Sequence, residues 1–316
     1  MTTSENKKKE IKNTVKKVGN IAAIIAMGFV IARLLRYRQQ IIGVWNIKVA
    51  LYTAVSIVVC GVLVLLAAIT FLLLTKALTK INPSESMVVF IYVRSNLYKY
   101  LPGNVMHYVG RNQIAVESEA THSEIATCTI IEMGINCVAG LLVGMLFSFS
   151  YVQKWMSDKG FGKETTIFAA SIIIITLIIL IFFSRYSRTN RNRIKQLLNK
   201  RTISILFLAM LCYIFNQTMQ GILFLTLLHS MGTVIPSRYT LSIVGVYAFA
   251  WLVGFITPGA PGGLGVREAM LTVFLAGIIE PGIITAAAIL NRIITTCGDV
   301  LAFGMIVAIM KIKHIR

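Results

Sequence analysis

The chain of 316 residues is 56% hydrophobic and only 14% charged, and its mean hydropathy is +0.77. Soluble domains carry about 25% charged residues, so a water-soluble fold of this length could not bury so much apolar surface, and composition excludes it. The net charge of +19 comes from basic residues that cluster at the ends of apolar runs. This distribution is typical of topology signals and of contact with anionic lipid headgroups, and it argues against a nucleic-acid partner.

The first part of the chain predicts a tail followed by membrane helices. Residues 1–17 contain six lysines and predict a basic cytosolic tail, and the short apolar run 18–32 predicts a retained helix because no cleavage site follows it. Residues 49–75 carry no charge and are long enough for a span, which needs about 20 apolar residues. Residues 125–150, which contain Glu132, predict the next span.

The second part of the chain repeats this alternation of apolar and basic segments. Residues 165–184 predict a span, and residues 185–201 carry seven basic residues and no acidic one, which is the strongest cytosolic marker in the sequence. Residues 202–229 predict a further span. Residues 239–266 are also uncharged, but the segment TPGAPGGLG interrupts them.

The last apolar run, residues 282–310, is too long for one straight span and contains Arg292 and Asp299, so we predict that it is kinked or broken. The whole pattern predicts an all-α, polytopic membrane helix bundle with about six to eight transmembrane segments. Residues 18–311 form one transmembrane domain in this interpretation, since no connecting region is large enough for a soluble domain.

Two similar segments suggest an internal duplication. PGNVMHYVGR at 102–111 and PGAPGGLGVR at 258–267 both begin with Pro-Gly and end in arginine, and they are 156 positions apart. The same offset moves the charge-free run 49–75 onto 205–231, and it moves 125–150 onto 281–306. We therefore predict two repeated halves, which cover about 18–150 and about 165–311.

The Pro-Gly segments predict two broken or re-entrant helices. A break exposes backbone N–H and C=O groups, which survive in the bilayer only beside protein or a wet cavity. Matching breaks in two halves are the usual sequence pointer to a transporter binding site. If each half has three full spans and one re-entrant pair, the halves are inverted and both termini are cytosolic, which leaves the basic loop 33–48 outside. If the broken segments cross fully, the halves are parallel.

Two arginines at the breaks, Arg111 and Arg267, are the leading candidates for binding a phosphate headgroup. Arginine binds phosphate through two parallel hydrogen bonds, and a charge at bilayer depth is costly enough to need a reason. The alternative is that both side chains reach out to the interface. Glu268, next to Arg267, could contact an arginine of the other half or a cationic headgroup, or form a structural ion pair.

Three charged residues inside apolar helices form a second candidate group: Glu132, Arg292 and Asp299. Arg292 and Asp299 are seven positions apart on one helix face, where a buried salt bridge is favoured over a proton or substrate relay. Lys99 is predicted to touch headgroups, and the aromatic residues beside it are predicted to be interfacial anchors. These anchors are Tyr92, Tyr98, Tyr100, Tyr108 and His107.

Known catalytic and metal motifs are missing from the sequence. The five cysteines lie in apolar segments without a CxxC pattern, and GAPGGLG is not followed by Lys-Ser/Thr, which excludes a Walker phosphate loop. We therefore expect no metal and no cofactor. The sequence offers His107 with Glu268 as its only acid–base pair, and the pair is a weak candidate.

Three segments carry a resemblance to a known family: YKYLPGNVMHYVGR, PGAPGGLGVREAM and LNRIITTCGDVLAF. Together they resemble the lysylphosphatidylglycerol synthase transmembrane-region family, also called flippase-like, over most of residues 20–310. The resemblance implies a bundle with two re-entrant segments in the cytoplasmic membrane of a prokaryote. It implies that the positions matching the family motifs bind the substrate. To these we add four residues at or next to the first break, which are Pro102, Gly103, Lys99 and Tyr98. The matching positions are Arg111, Pro261, Gly262, Gly263, Gly265, Glu268 and Arg292.

The resemblance also implies a substrate. In the best-known members this region moves an aminoacylated phospholipid across the membrane, and a separate soluble domain, without a counterpart in these residues, adds the lysine. We therefore do not expect synthase activity. Members without that domain resemble partners of envelope polysaccharide pathways, which would make the substrate a polyprenyl-phosphate-linked sugar.

Three functions follow from these observations. The first is a flippase-like transporter of a phosphate-bearing lipid, and it predicts a polar cavity of headgroup size between the halves. The second is a membrane enzyme that modifies lipids, and it predicts a cluster of facing acid and base groups. The third is a noncatalytic partner of envelope-biosynthesis proteins, for which replacing Arg111 or Arg267 would change little.

Overall fold

The computed structural model describes residues 45–79, 83–100, 106–118, 120–158, 160, 199–257, 263 and 265–312. In these ranges the chain is helical and contains no strand. The helices, numbered in chain order, are α1 Ile47–Leu78, α2 Glu85–Asn96, α3 Met106–Arg111, α4 Gln113–Glu117, α5 His122–Asp158, α6 Lys200–Ser230, α7 Thr240–Ile256, α8 Val266–Leu275 and α9 Pro281–Ile312. Short 3-10 helices follow α2 at Leu97–Tyr100 and precede α7 at Ser237–Tyr239.

Five of the helices in the described ranges are long and apolar enough to cross a membrane, so the chain is an all-α polytopic membrane bundle. They are α1, α5, α6, α9, and α7 together with its preceding 3-10 turn. The spans predicted over 49–75, 125–150 and 202–229 are confirmed by α1, α5 and α6, all of which are longer than predicted, and α5 extends to Asp158. The predicted tail 1–17 and the runs 18–32 and 165–184 lie outside the described residues.

Local sequence sets where these helices begin. Asn46 and Asn199 are N-caps, whose side-chain oxygens accept from the backbone N–H of Val49 at 3.0 Å and of Thr202 at 2.8 Å. Thr121 and Glu124 form a reciprocal capping box at the start of α5. The start of α9 is Pro281, whose missing N–H costs nothing in a first turn.

The predicted break in the last apolar run is wrong. Helix α9 runs without interruption from Pro281 to Ile312, with Arg292 and Asp299 inside it. A charged side chain forces no break in a helix when groups on neighbouring helices neutralise it. Both residues have such partners, as the site shows.

The helix order repeats with the offset found in the sequence. A shift of 156 residues moves α1 onto 203–234, which overlaps α6, and it moves α5 onto 278–314, which overlaps α9. The same shift places α2 on α7, and α3 with α4 on α8.

The packing follows the same symmetry. Helix α1 packs on α9, and its counterpart α6 packs on α5. Helix α5 packs on α7, and its counterpart α9 packs on α2. Helices α1 and α6 also contact each other, as two equivalent helices beside a pseudo-two-fold axis would. These matched pairs support the predicted internal repeat, while the inverted orientation of the halves stays a prediction.

Each half contains helices too short to cross the bilayer. Helix α8 has 10 residues and α3 has 6, and a rise of about 1.5 Å per residue leaves both well short of the hydrocarbon thickness of about 30 Å. The chain just before each, at 101–105 and 258–262, lies outside the described residues. Short helices at matching positions support the two predicted re-entrant segments.

Glycines allow the closest helix contacts in the bundle. A Cβ on Gly144 of α5 would lie 3.0 Å from the Phe249 ring of α7, and one on Gly245 of α7 would lie 2.7 Å from the backbone of Ser148. On α9, a Cβ on Gly298 would lie 2.5 Å from Cβ of Cys60 on α1. Small residues at such points let helix backbones approach closely, which is how helices associate in a membrane.

We expect Gly298→Ala to destabilise the bundle, because the added methyl group overlaps Cys60 and the neighbouring backbone of α1. Overpacking of this kind typically costs about 1–3 kcal/mol. The measurement is the melting temperature of the purified protein in detergent. The matched control is Gly304→Ala on the same helix, where a Cβ meets open space. Equal melting temperatures for the two variants would contradict the close contact of α1 with α9.

Candidate functional site

The two halves enclose a polar cavity of about 210 Å³. Its walls come from α1, α2, α3, α5, α6, α7 and α9, together with Gly263 and Arg267 beside the second break. Both arginines predicted to bind a headgroup, Arg111 and Arg267, line this one cavity. The repeat therefore brings together two residues that are far apart in the sequence.

Arg111 is held in a buried network around Glu132. The Arg111 guanidinium forms an ion pair with the Glu132 carboxylate, and both residues are only 3% exposed. Tyr92 donates its hydroxyl to Glu132 at 2.7 Å, and Tyr213 of α6 donates to the same oxygen. The Arg111 guanidinium also lies 4.2 Å from the centre of the Tyr92 ring. This arginine is neutralised and held between aromatic rings.

Asp299 joins the two halves. Its carboxylate in α9 accepts from Asn96 at 2.8 Å and from the hydroxyl of Tyr100, and it pairs with the ammonium of Lys99 at 2.7 Å. All three partners lie in the first half, at the end of α2 and in the 3-10 turn after it. Asp299 is 2% exposed, so its charge depends on these partners.

Arg292 of α9 pairs with Glu268 of α8, and both side chains are partly buried. Arg292 and Asp299 therefore belong to different ion pairs, and the salt bridge predicted from their spacing along one face does not describe them. A separation of seven residues places the side chains of Arg292 and Asp299 on the same face of the helix. Their ends are two turns apart, and partners from neighbouring helices are closer.

Arg267 has a different environment from the other cations of the cavity. Its Nη2 donates to the hydroxyl of Tyr247 at 2.9 Å, and the guanidinium lies 4.6 Å from the centre of that ring. Asn291 donates to the same hydroxyl at 2.9 Å. The buried Nε of Arg267 has no hydrogen-bond partner, and no carboxylate among the described residues forms an ion pair with this arginine.

The charges of the cavity therefore do not cancel. Three ion pairs account for Lys99, Arg111 and Arg292, which leaves Arg267 without an ion pair to any carboxylate in the described ranges. Taking a charge out of water costs several kcal/mol, on the order of 2.5–3.5 kcal/mol even on the most favourable scale for a helix centre. An anion entering the cavity would remove this cost.

The predicted site residues fall into three groups. Seven of them line the cavity: Lys99, Arg111, Glu132, Gly263, Arg267, Arg292 and Asp299. Three others, Tyr98, Glu268 and Gly265, lie behind or beside its lining. The remaining four lie outside the described residues: Pro102, Gly103, Pro261 and Gly262.

The prediction that the aromatic residues in and after α2 are interfacial anchors is wrong for those with buried partners. Tyr92 and Tyr100 donate their hydroxyls to buried carboxylates, and His107 is buried against the ring of Tyr108. Tyr98 is also buried, in a position where a Cβ on Gly110 would overlap its ring. Tyrosines in an apolar sequence resemble a membrane belt, and only the fold shows that these hydroxyls have buried acceptors.

Sequence reasoning missed a polar stripe on α6. Tyr213, Asn216, Gln217 and Gln220 all line the cavity. Their positions are i, i+3, i+4 and i+7, which is one face of a helix. The signal was present in the sequence, since four polar groups at helical spacing in an otherwise apolar span are costly unless they face protein or water.

The profile of the family described as the lysylphosphatidylglycerol synthase TM region matches residues 106–302. This match covers more than half of the chain, from the start of α3 into α9, so the chain belongs to that family. Family membership and the five apolar helices make it a multi-pass membrane protein. A comparison with curated proteins finds no match.

We expect Glu132→Leu to destabilise the protein strongly. The change leaves Arg111 without a carboxylate and leaves Tyr92 and Tyr213 without an acceptor, and breaking a buried pair in this way typically costs about 3–5 kcal/mol. The measurement is the melting temperature in detergent. Adding Arg111→Met to the same chain should recover part of the loss, because the isolated charge is then removed.

The control for this experiment is an exposed ion pair, Lys76 with Glu85. Glu85→Gln should leave the melting temperature unchanged, since exposed pairs contribute little to stability. If Glu132→Leu is as mild as Glu85→Gln, the buried network does not stabilise the bundle.

Proposed function

We propose that this member of the lysylphosphatidylglycerol synthase TM region family moves a phosphate-bearing lipid across the membrane, with Arg267 as the ligand of the phosphate. The observation that supports this most directly is that, among the described residues, Arg267 has no ion pair in a cavity whose other lining cations are paired. By the resemblance of its sequence, we place the protein in the cytoplasmic membrane of a prokaryote.

Phosphate suits the geometry of Arg267. A guanidinium offers parallel N–H groups that match two phosphate oxygens, and such charge-assisted bonds are about twice as strong as neutral ones. One Nη2 bond goes to Tyr247, while the Nε–H lacks an acceptor. Tyr247 and Asn291 hold the side chain in position, so little conformational freedom is lost on binding.

The pseudo-symmetric bundle supports movement of the bound group. In transporters built from repeats, the site lies between the halves, which rock against each other around it. Here hydrogen bonds from Asn96, Lys99 and Tyr100 to Asp299, and from Tyr213 to Glu132, connect the two halves beside the cavity. These polar contacts are the ones that would break and re-form as the cavity opens toward either side.

The two other functions have less support. A lipid-modifying enzyme would need facing acid and base groups, but Glu268 is paired with Arg292, and His107 lies against Tyr108. A noncatalytic partner of envelope-biosynthesis proteins would have no use for an uncompensated buried charge, which is expensive to maintain.

We expect Arg267→Gln to slow lipid movement about tenfold to a hundredfold, which corresponds to the loss of one or two charge-assisted hydrogen bonds. The measurement is the rate at which fluorescent anionic phospholipids cross the bilayer of vesicles that contain the purified protein. Arg267→Lys should fall between wild type and Arg267→Gln, because it keeps the charge and loses the paired donors.

The matched control is Arg238→Gln, which removes one positive charge from an exposed turn outside the cavity. It should move lipids at the wild-type rate. If Arg267→Gln also moves them at the wild-type rate while remaining folded, Arg267 is not the phosphate ligand. If folded wild-type protein moves no phosphate-bearing lipid at all, the transport proposal fails.

A further inference from the structure

We propose that the cavity selects a phosphodiester headgroup that carries uncharged hydroxyl groups, and that it discriminates against a cationic aminoacylated headgroup. The inference rests on the proposed function, because it takes Arg267 as the ligand of the phosphate. It goes further by assigning the rest of the headgroup to a wall of carboxamide side chains. That wall is formed by Asn136 of α5 and by Asn216, Gln217 and Gln220 of α6.

The carboxamide wall has acceptors that the protein does not use. Gln217 donates from its Nε2 to Oδ1 of Asn136 at 2.9 Å, but its own Oε1 has no hydrogen-bond partner. Gln217 is 3% exposed, so this oxygen is removed from bulk water. The Oε1 of Gln220 is likewise buried without a partner. Buried acceptors of this kind normally have a partner in the working protein.

The part of the wall that α6 provides is specific to the second half of the repeat. Shifting Asn216 and Gln220 back by 156 positions gives Cys60 and Val64 of α1, which also line the cavity. The lining from α6 is thus polar at these positions and the lining from α1 is apolar, although the two helices are equivalent. Packing of the pseudo-symmetric bundle does not require carboxamides at these positions, because the equivalent positions on α1 do without them.

Carboxamides suit hydroxyl groups in particular. A hydroxyl group donates one hydrogen bond and accepts others, and a carboxamide offers both a carbonyl acceptor and an NH₂ donor. A site that provides such partners rejects analogues without the hydroxyl, because its buried polar groups are then left unpaired. The cavity volume of about 210 Å³ is below the 300–1,000 Å³ typical of drug-sized ligands, which suits a headgroup alone.

A cationic headgroup lacks a counter-charge in this cavity. The carboxylates of Glu132 and Asp299 line it, and both are already paired with Arg111 and Lys99. A lysyl group would also bring positive charge into the same small, poorly solvated space as Arg267. Like charges that are brought together away from water repel strongly, so the described lining disfavours an aminoacylated lipid.

The test is headgroup binding by the purified full chain in detergent. Binding is monitored through the change in tryptophan fluorescence, since Trp251 lines the cavity. Four probes are compared: phosphatidylglycerol, phosphatidylethanol, lysyl-phosphatidylglycerol and a polyprenyl-phosphate-linked glucose. Phosphatidylethanol has the same phosphodiester charge as phosphatidylglycerol without its hydroxyl groups. Phosphatidylglycerol and the polyprenyl-phosphate-linked glucose both carry hydroxyl groups. The one that binds more tightly shows whether the headgroup belongs to a phospholipid or to a polyprenyl-phosphate lipid.

We expect the hydroxyl-bearing probes to bind about fivefold to tenfold more tightly than phosphatidylethanol, which is the contribution of one or two hydrogen bonds. Lysyl-phosphatidylglycerol should bind more weakly than phosphatidylglycerol. Gln217→Leu should abolish the preference over phosphatidylethanol while phosphate binding persists. Gln217→Glu should shift the preference toward the lysyl lipid, because it supplies the missing carboxylate. Gln153→Leu, the same change at an exposed position of α5, should bind as wild type does.

The outcomes separate the selectivity from the transport. Equal binding of phosphatidylglycerol and phosphatidylethanol, or tighter binding of the lysyl lipid by wild type, would overturn the selectivity even if lipids are transported. Selective binding that is lost in Gln217→Leu would support the selectivity even if vesicle assays detect no lipid movement. The absence of movement would then contradict the transport proposal and leave the selectivity standing. If Gln217→Leu does not fold, an unchanged headgroup preference in folded Gln217→Glu overturns the selectivity.

Discussion

Neutralising buried charge is the constraint on which the rest of this structure depends. The bundle places four cations and three carboxylates at or next to one cavity between membrane-spanning helices. Each carboxylate has a cation and most have further hydrogen-bond donors, which is the condition for keeping a charge away from water. The pairs also fix the packing, since Asp299 and Glu132 take partners from the opposite half. The same pairing that stabilises the bundle leaves one arginine for a ligand.

The site lies where the two halves differ from each other. Arg111 and Arg267 are equivalent by the repeat, and each lies over a tyrosine ring. Glu132, however, corresponds to Ala288 in the second half, so only Arg111 receives a carboxylate on the long helix that follows. The two equivalent arginines therefore have different environments. Arg111 is paired with a buried carboxylate, and Arg267 has no ion pair among the described residues.

The membrane helices could be predicted from the sequence, and the partners of their charged residues could not. Long apolar runs mark spans because every unpaired polar group is costly in hydrocarbon, and α1, α5 and α6 appear where these runs are. The rotation of each helix about its axis is a tertiary property. It decides that Arg292 meets Glu268 and not Asp299, and that Tyr92 points to a carboxylate and not to the interface. The polar stripe on α6 could have been predicted from its helical spacing, although the apolar residues around it make the pattern less evident.

Under the proposed function, the difference between the two halves also accounts for a single phosphate ligand in one cavity. Two identical halves would present two identical guanidinium groups, and an anion could then be held between them too firmly to leave. Because Arg111 is paired with Glu132, it is not available as a second ligand for an anion. The carboxamides of α6 offer weaker, uncharged contacts in its place. Neutral hydrogen bonds contribute about 0.5–1.5 kcal/mol each, against about 1.5–3 kcal/mol for those to charged groups. Under the proposed function, the broken symmetry of the repeat would therefore favour a site that distinguishes headgroups and still releases them.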